Sequence, residues 1–283
     1  MEARVGETFY KRVWIFYLPL LLFLVLLLFP FYWMLIASIK PDRELYDLTA
    51  NPFIVRKVTF AHWWYLLSET LFPRWMVNTL IVAVASTALS LFCGVLAGYS
   101  LSRLKFPGSA TIGVSIFITY LVPPSLLFIP LADVIKNLHL LDSPLALILS
   151  YPTILVPFST WLLMGYFKTI PRELEECARI DGATRFQAFY RIILPLATPG
   201  ILSAGIFSFT LSWNEYLFAL VFLSSPDNKT VPVGVVSELI KGDVFFWGSL
   251  MAGALLGSIP VAVIYSFFVE YYVSGLTGGA VKG

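Results

Sequence analysis

The sequence is poor in the residues on which most enzymes depend. Only 13% of its 283 residues are charged, and it contains two cysteines and two histidines. Cys93 lies in an apolar run and Cys177 in a polar segment, so we expect no structural disulfide. His62 and His139 belong to no H-E-x-x-H motif, and G-x-S-x-G is absent. The sequence therefore carries none of these catalytic signatures and predicts no enzyme.

Two further absences narrow the function classes. The sequence has no G-x-x-x-x-G-K-[ST] loop, so nothing in it should hold the phosphates of ATP. The net charge is +2 and the longest basic run is Arg56-Lys57, which leaves no electrostatic footprint for a nucleic acid. Hydrophobic residues, by contrast, make up 58% of the chain. This composition predicts a protein of the lipid bilayer.

Long uncharged runs predict an all-α membrane protein with six transmembrane helices, because about 20 helical residues cross a bilayer. With both termini inside, the inner segments hold 11 of the 19 Lys and Arg residues, which predicts cytoplasmic termini. We expect a cytoplasmic N-terminus (1–12), a transmembrane region (13–272) and a cytoplasmic tail (273–283). The six spans are expected near 13–39, 75–101, 110–131, 145–167, 197–223 and 248–270.

Proline and glycine mark special positions within the spans. Pro123-Pro124-Ser125 in span three, and Pro152 with Pro157 in span four, are candidates for a broken helix beside a polar pathway or for ordinary kinks. Gly94-x-x-x-Gly98 in span two predicts close packing against a neighbouring helix.

A polar segment, residues 168–195, separates spans four and five. Pro171 and the acids after it predict a helix start, and Gly182 predicts its end. Thr184-x-x-Gln187 is typical of a capping box that begins a second helix, with an apolar stripe from Phe186 to Ile193. Periodicity alone leaves two interpretations open: a helix that projects towards a partner, or an interfacial loop that only joins two spans.

Span five contains a carboxylate, Glu215, which is costly in a bilayer and should face the bundle or a water-filled path. A structural hydrogen bond to a neighbouring helix is the alternative. Aromatic and small polar residues suit sugars, which combine hydroxyls with apolar ring faces. The candidate substrate pathway consists of Tyr120, Ser125, Tyr151, Trp213, Asn214 and Glu215.

The polar segment also resembles a known motif. Glu176-Cys177-Ala178, three residues, Gly182, nine residues and Ile192-x-Leu194-Pro195 resemble the EAA loop of ABC-importer permeases, although Cys177 replaces the usual alanine. Weaker matches extend over nearly the whole chain and resemble the MalG-type permeases of the carbohydrate-uptake group. These matches are Ser38-Ile39-Lys40-Pro41, Asn78-Thr79, Ser212-Trp213-Asn214-Glu215 and Gly275-Leu276-Thr277-Gly278-Gly279.

The resemblance implies a transport subunit of the inner membrane that moves a sugar or oligosaccharide by alternating access. Its implied partners are a second homologous permease, two ABC ATPases that carry ATP and Mg, and an extracytoplasmic solute-binding protein. The outer loops, 40–74 and 224–247, would receive the binding protein. Glu176 would offer charge to the ATPase and Ala178 close approach. The implied ATPase-coupling residues are Arg172, Glu173, Glu175, Glu176, Cys177, Ala178, Arg179, Asp181, Gly182, Leu194 and Pro195.

Two alternatives remain open. Within the importer class, the cargo could be a polyol or a glycerol phosphate. A secondary transporter or a channel would use proline-broken spans and Glu215 equally well, but neither needs a docking helix for an ATPase.

Overall fold

The computed structural model describes residues 11–104 and 106–277, and side chains as far as residue 269. Most of this part of the chain is helical. It divides into two compact units, the described part of Met1–Thr70 together with Val235–Ser258, and Leu71–Gly234 together with the described part of Ile259–Gly283.

The first unit begins with α1 (Val13–Ile39), whose opening turn is π-helical. Two short helices follow, α2 (Asp42–Leu45) and α3 (Ala61–Trp64), and a π-helical turn continues α3 over Tyr65–Glu69. Most side chains of α1 are exposed, as expected for a helix that meets lipid.

A buried lysine fixes the chain just after α1. Lys40 is 3% exposed, and its Nζ donates to the carbonyl oxygens of Pro52 at 2.7 Å and Asn51 at 3.3 Å. The His62 ring lies with Nε2 2.8 Å from the carbonyl oxygen of Lys40. A buried ammonium needs such partners because burial removes its hydration. The Ser-Ile-Lys-Pro motif therefore forms a structural corner.

The second unit contains nine helices among its described residues. They are α4 (Phe72–Arg103), α5 (Ser109–Tyr120), α6 (Pro124–Asn137), α7 (Pro144–Ser150), α8 (Pro152–Thr169), α9 (Glu173–Ile180), α10 (Arg185–Leu196), α11 (Thr198–Trp213) and α12 (Leu217–Phe222). Two more helices cross the boundary between the units, α13 (Val231–Leu239) and α14 (Trp247–Thr277). Between them lies a hairpin of β1 (Ile240–Lys241) and β2 (Val244–Phe245).

Helices α4 and α8 pack closely where the glycine pair predicts contact. A Cβ atom on Gly94 would lie 2.8 Å from Cβ of Ser159, and one on Gly98 would lie 3.1 Å from Cβ of Leu163. Real Cβ atoms do not approach so closely to a neighbour, so the two glycines permit this packing. Within the same bundle, the hydroxyls of Ser159 and Ser208 are 3.0 Å apart and join α8 to α11.

Four helical stretches of the described chain are long and apolar enough to span a membrane, and they match four predictions. They are Val13–Ile39, Phe72–Arg103, Pro144–Thr169 and Trp247–Val269. The count rises to as many as six if two bent helix pairs are each taken as one span.

The prediction of one continuous helix over 110–131 is wrong. The chain turns by 98° between α5 and α6, at the proline pair. Pro123 is extended (ψ 131°), as the residue before a proline prefers, and Pro124 then starts α6. Of the two interpretations of Pro123-Pro124-Ser125, the structure shows the broken helix, whereas Pro157 lies inside α8 without ending it.

The prediction of one helix over 197–223 is also wrong. Helix α11 ends at Trp213, and α12 starts only at Leu217. The amide Nδ2 of Asn214 donates to the carbonyl oxygen of Thr210 at 2.9 Å, which satisfies the end of α11. Glu215 therefore lies between two helices. Helix α14 extends past the predicted limit of span six to Thr277, and the rest of the predicted tail, 278–283, lies outside the described residues, as does 1–10 of the predicted N-terminus.

Candidate functional site

The polar segment between α8 and α11 forms two short helices. Three glutamates occupy the first turn of α9, where their charge complements the helix dipole. Gly182 ends the helix at φ 89°, and its N–H donates to the carbonyl oxygen of Arg179 at 3.2 Å. The N–H of Ala183 donates to the carbonyl oxygen of Ala178 at 2.9 Å, which completes a Schellman motif. The predicted role of Gly182 as a helix end is confirmed.

Helix α10 begins with the predicted capping box. The N–H of Thr184 donates to Oε1 of Gln187 at 2.8 Å, and the N–H of Gln187 donates to Oγ1 of Thr184 at 3.2 Å. Both orphan donors are thereby satisfied. Along α10, Phe189 and Ile193 are buried while Phe186 and Tyr190 remain exposed, so only half of the predicted apolar stripe packs inside the chain.

Tyr99 on α4 ties α9 to the bundle. Its hydroxyl donates to Oε1 of Glu175 at 2.7 Å, a charge-assisted bond. Its ring lies with its centroid 4.4 Å from that of Phe189 on α10 and 6.0 Å from that of Phe167 on α8. One side chain of α4 therefore contacts all three neighbouring elements.

Arg103, the last residue of α4, holds the end of α8. Its Nη2 donates to the carbonyl oxygen of Phe167 at 2.5 Å and to that of Ile170. These carbonyls have no partner within α8, and an arginine near a helix C-terminus satisfies them. In return, Nη2 of Arg172 donates to the carbonyl oxygen of Ser102 at 3.4 Å. The connection from α8 to α9 is therefore fixed to α4 on both sides.

The outward face of α9 differs in one respect from the expectation. Ala178, expected to offer close approach to a partner, is only 8% exposed and packs inside its own chain, because it lies on the inner side of the helix. Ile180 is 84% exposed and provides the apolar surface instead. The remaining outward residues are Arg172, Glu173, Glu176, Cys177, Arg179, Asp181 and Gly182.

The i, i+4 spacing of Arg172 with Glu176 and of Glu175 with Arg179 would allow two ion pairs along α9. Among the described residues, neither Arg172 with Glu176 nor Glu175 with Arg179 makes an ion pair. Glu175 instead accepts a hydrogen bond from the Tyr99 hydroxyl of α4. Tertiary contact thus replaces the weak pairing that exposed helix neighbours offer, worth about 0.3–0.5 kcal/mol.

Leu194 and Pro195 lie near the end of α10, which bends by 70° into α11. Leu194 packs against the cluster that contains Phe167 and Ile193, while Pro195 is exposed. Both residues line an apolar groove of about 880 Å³, formed by α10, α11 and the stretch Leu91–Leu96 of α4. The end of α10 is thus continuous with the start of a long apolar helix.

The six pathway candidates lie in different surroundings. Tyr151 and Trp213 are buried in separate hydrophobic clusters, whereas Tyr120, Ser125 and Asn214 are exposed. The Glu215 carboxylate accepts from the backbone N–H of Phe218 at 2.8 Å and of Ala219 at 3.1 Å, and so caps α12. Its position supports the structural alternative for Glu215.

A second polar network, not anticipated from the sequence, surrounds the other end of α4. Trp75 Nε1 donates to the carbonyl oxygen of Pro226 at 2.7 Å, and Nδ2 of Asn78 donates to that of Asp227 at 2.8 Å. The N–H of Val231 donates to Oγ1 of Thr79 at 2.8 Å. Arg74 forms a 3.0 Å ion pair with Asp227. Four side chains in the first two turns of α4 therefore hold the segment 226–231.

Asp142 completes this network. Its carboxylate accepts from the N–H groups of Ser224 (3.0 Å) and Ser225 (2.9 Å) and from the Ser225 hydroxyl. These bonds to the charged form, the hydroxyl of Ser225 first, lower the pKa of Asp142 from 3.8 to about 2. Tyr99, Arg103 and Asp142 carry no local sequence signal of their role, since each acts on residues at least 60 positions away.

Known proteins share both the sequence and the fold. The family model "Binding-protein-dependent transport system inner membrane component" matches residues 90–278. The chain is 39% identical over 270 residues to the inner membrane ABC transporter permease protein YcjP of Escherichia coli, covering 95% of this chain and 96% of that protein. It is 34% identical over 280 residues to the trehalose/maltose transport system permease protein MalG of Thermococcus litoralis, covering 98% and 99%.

A crystal structure of a bacterial ABC transporter involved in alginate import has the same fold, with a TM-score of 0.78, 22% identity and coverage of 93% of this chain and 98% of that one. The matched region contains α9, α10 and their anchors on α4. The resemblance to ABC-importer permeases is thus supported over most of the chain, and the protein belongs to the family of inner membrane components of binding-protein-dependent transport systems.

Proposed function

We propose that this permease moves a sugar or oligosaccharide into the cytoplasm by alternating access, and that α9 is the helix through which an ATPase drives it. The relative from Thermococcus litoralis is described as a trehalose/maltose transport permease, which supports a carbohydrate cargo. The observation that carries the proposal is α9 itself, a short charged helix that carries the EAA-like motif, is exposed outwards and is tied to α4 inwards.

The proposed topology has six spans with both termini in the cytoplasm. Each bent pair then counts as one crossing, the first from α5 into α6 and the second from α10 into α11. Residues 13–272 form the transmembrane permease domain, with the coupling loop 168–195 between spans four and five. The hydrogen bonds of Arg103, the last residue of α4, to Phe167 and Ile170 at the end of α8 support a position of that loop at one membrane surface.

The proposed assembly contains a second, homologous permease, two ABC ATPases and an extracytoplasmic binding protein in addition to this chain. ATP and Mg would bind to the ATPases, because this sequence has no phosphate-binding loop. The residues offered to an ATPase are those of the outward face of α9, with Glu176 and Arg179 as charges and Ile180 as apolar contact.

Two routes carry a movement of α9 into the bundle. The first runs through Glu175 and the Tyr99 hydroxyl into α4, and the second through Leu194 and Pro195 at the end of α10 into α11. Each route joins a short helix to a longer one through packed or hydrogen-bonded contacts. Helices in such contact move together, because a packed interface does not deform continuously. A tilt of α9 would therefore change the positions of α4 and α11, and with them access to the pathway.

Transport in vesicles tests the cargo and the driving force together. The chain, co-purified with its companion subunits, is placed in liposomes with its binding protein, and uptake of labelled maltose, trehalose and glycerol 3-phosphate is measured with and without internal ATP. We expect ATP-dependent uptake of a sugar. ATP-dependent uptake of glycerol 3-phosphate alone would favour a polyol or glycerol phosphate as the cargo. Uptake at the same rate with and without ATP would identify a channel or a secondary transporter.

A further inference from the structure

A cluster of arginines lies beside α9, on the side that faces the ends of α4 and α8. Four arginines from three segments line one cavity of about 220 Å³. Arg103 is the last residue of α4. Arg172 immediately precedes α9 and Arg179 lies within it, while Arg185 is the first residue of α10. Among the described residues that line it, the acids are Glu175 and Glu176, so four positive charges against two negative ones leave a net charge of +2.

The charges inside this cavity are not balanced by their neighbours. Glu175 accepts from the Tyr99 hydroxyl, which occupies one of its oxygens. Among the described residues, Arg172, Arg179 and Arg185 form no ion pair. The attraction between Arg103 and Glu175 is larger than the repulsion between Arg103 and Arg172, so the charge of Arg103 is compensated in part. A bound anion would compensate the remaining net charge of +2.

Arg103 gives an independent observation. Its Nη2 is used by the carbonyl oxygens of Phe167 and Ile170, but its Nε and Nη1 are buried and have no hydrogen-bond partner among the described residues. Unsatisfied buried guanidinium N–H groups are costly, and an ion or water that completes them is the usual explanation. A cavity of about 220 Å³ has room for roughly seven waters at about 30 Å³ each, and hence for a phosphate group with some hydration.

We propose that Arg103, Arg172, Arg179 and Arg185 form a binding site for a phosphate-bearing anion at the membrane surface. Arginine binds phosphate oxygens through paired N–H groups, which suits several guanidinium groups around one cavity. The site lies where two membrane-spanning candidates end, at the level of lipid headgroups, and basic pockets at this level bind anionic lipids. A lipid headgroup and free cytoplasmic phosphate share this chemistry. The site shares Arg172 and Arg179 with the coupling face proposed above, so its test measures ligand binding and not uptake.

The test uses the full-length chain with its co-purifying subunits in nanodiscs made of phosphatidylcholine. In one arm, phosphatidylglycerol is added, and in the other, inorganic phosphate, and bound ligand is counted by native mass spectrometry. Arg179→Gln and Arg185→Gln, both at exposed side chains, are combined in one variant. We expect the loss of two of four phosphate contacts to weaken retention by about tenfold or more.

Arg191→Gln is the matched control, because Arg191 is an exposed arginine of α10 that lies outside this cavity. It should retain the ligand as the unmodified chain does. Loss in the phosphatidylglycerol arm identifies a lipid site, and loss in the phosphate arm identifies a soluble ligand. Absence of binding in both arms, or an equal loss in Arg191→Gln, overturns the proposal.

Folding of the double variant is checked by its melting temperature and by the amount of companion subunits that co-purify. A variant that assembles normally and still binds phosphatidylglycerol and phosphate as the unmodified chain does would also overturn the site. Uptake of sugar is a separate readout, so failure of the anion site and failure of the coupling proposal give different results.

Discussion

The two ends of α4 are held in different ways. At its start, four residues within one and a half turns, Arg74, Trp75, Asn78 and Thr79, bind a single short segment, and Asp142 fixes the residues just before it. At its end, Tyr99 and Arg103 form hydrogen bonds to α9 and to the end of α8, and the Tyr99 ring contacts Phe189 of α10. The first end is a dense local network, and the second is a sparse junction between elements.

The difference follows from what each end has to do. A segment held by many hydrogen bonds to one helix cannot move without that helix, because each broken bond leaves a polar group to be satisfied. A junction made by one hydrogen bond to α9, two at the end of α8 and a ring contact with α10 permits small changes of angle among them. Since α4 has 32 residues and is about 48 Å long, a tilt imposed at the sparse end reaches the dense end as a rigid displacement.

The largest effect is expected when the end of α9, the helix that contacts the sparse end of α4, is disrupted at Gly182. Gly182→Pro cannot adopt φ 89° and loses the N–H bond to Arg179, so α9 can no longer end where it does. Uptake should fall to background while the subunits still co-purify. Gly108→Pro, at φ 86° in the loop between α4 and α5, is the control and should retain most uptake. Equal loss in both variants would remove the special role of α9.

A smaller loss is expected when the bond between α4 and α9 is removed. Tyr99→Phe keeps the ring packing but leaves Glu175 without its donor, and a bond to a charged group contributes about 1.5–3 kcal/mol. Uptake should fall several-fold, with ATP hydrolysis by the assembled complex less affected. Tyr166→Phe on α8 is the matched control. If Tyr99→Phe and Glu175→Gln have fully additive effects, the two residues are not coupled and this route is wrong.

The dense end should respond in stability rather than in coupling. Asp142→Asn replaces a carboxylate that accepts three bonds, and we expect a loss of about 1 kcal/mol in thermal stability at neutral pH, with uptake per folded molecule retained. Asp133→Asn, at an exposed acid of α6, should have no effect. A melting temperature that is unchanged in Asp142→Asn would contradict the assigned network.

The low pKa of Asp142 also fixes the direction of the pH dependence. Because the folded-state pKa of about 2 is lower than the ordinary 3.8, the stabilising contribution is complete above about pH 4 and is lost as the pH falls towards 2. The difference in stability between the unmodified chain and Asp142→Asn should therefore shrink over this range. A difference that instead shrinks between pH 7 and 5 would point to another group.

The smallest effect is expected from Glu215→Gln. The side chain caps α12, whose last residue, Phe222, accepts the N–H of Asp142 at 2.8 Å. Glutamine keeps one acceptor oxygen, so the cap is weakened rather than lost, and the cost should be about 0.5–1 kcal/mol. Uptake rates for different sugars show whether Glu215 does more than this. A changed cargo preference would return Glu215 to the substrate pathway.

The sequence predicted those features that depend on local chemistry. Gly182 and the Thr184-x-x-Gln187 box were predictable because a left-handed glycine and a capping box are satisfied within four residues. Four of the six spans predicted from the uncharged runs likewise match single long helices, since length and hydropathy suffice for them. The proline pair indicated a possible break in span three, but the 98° angle between α5 and α6 depends on the packing around these helices.

The remaining features depend on partners far away in the chain. Tyr99 meets Glu175 from 76 positions away, and Asp142 meets Ser225 from 83. The burial of Ala178 was not evident from the sequence, because an eight-residue helix with apolar residues at several positions does not specify which of them turns inward. Only the three-dimensional arrangement shows that Ile180 is the most exposed apolar residue of α9.

The most direct test of the central claim, that an ATPase grips α9, uses the exposed Cys177 of that helix. In a Cys93→Ala background, a photoreactive maleimide is attached to Cys177, and the purified complex is irradiated with and without ATP. We predict a cross-link to a nucleotide-hydrolysing subunit, identified by its peptides, whose yield changes when ATP binds. A complex that hydrolyses ATP and transports sugar but gives no such cross-link from Cys177 would contradict the account.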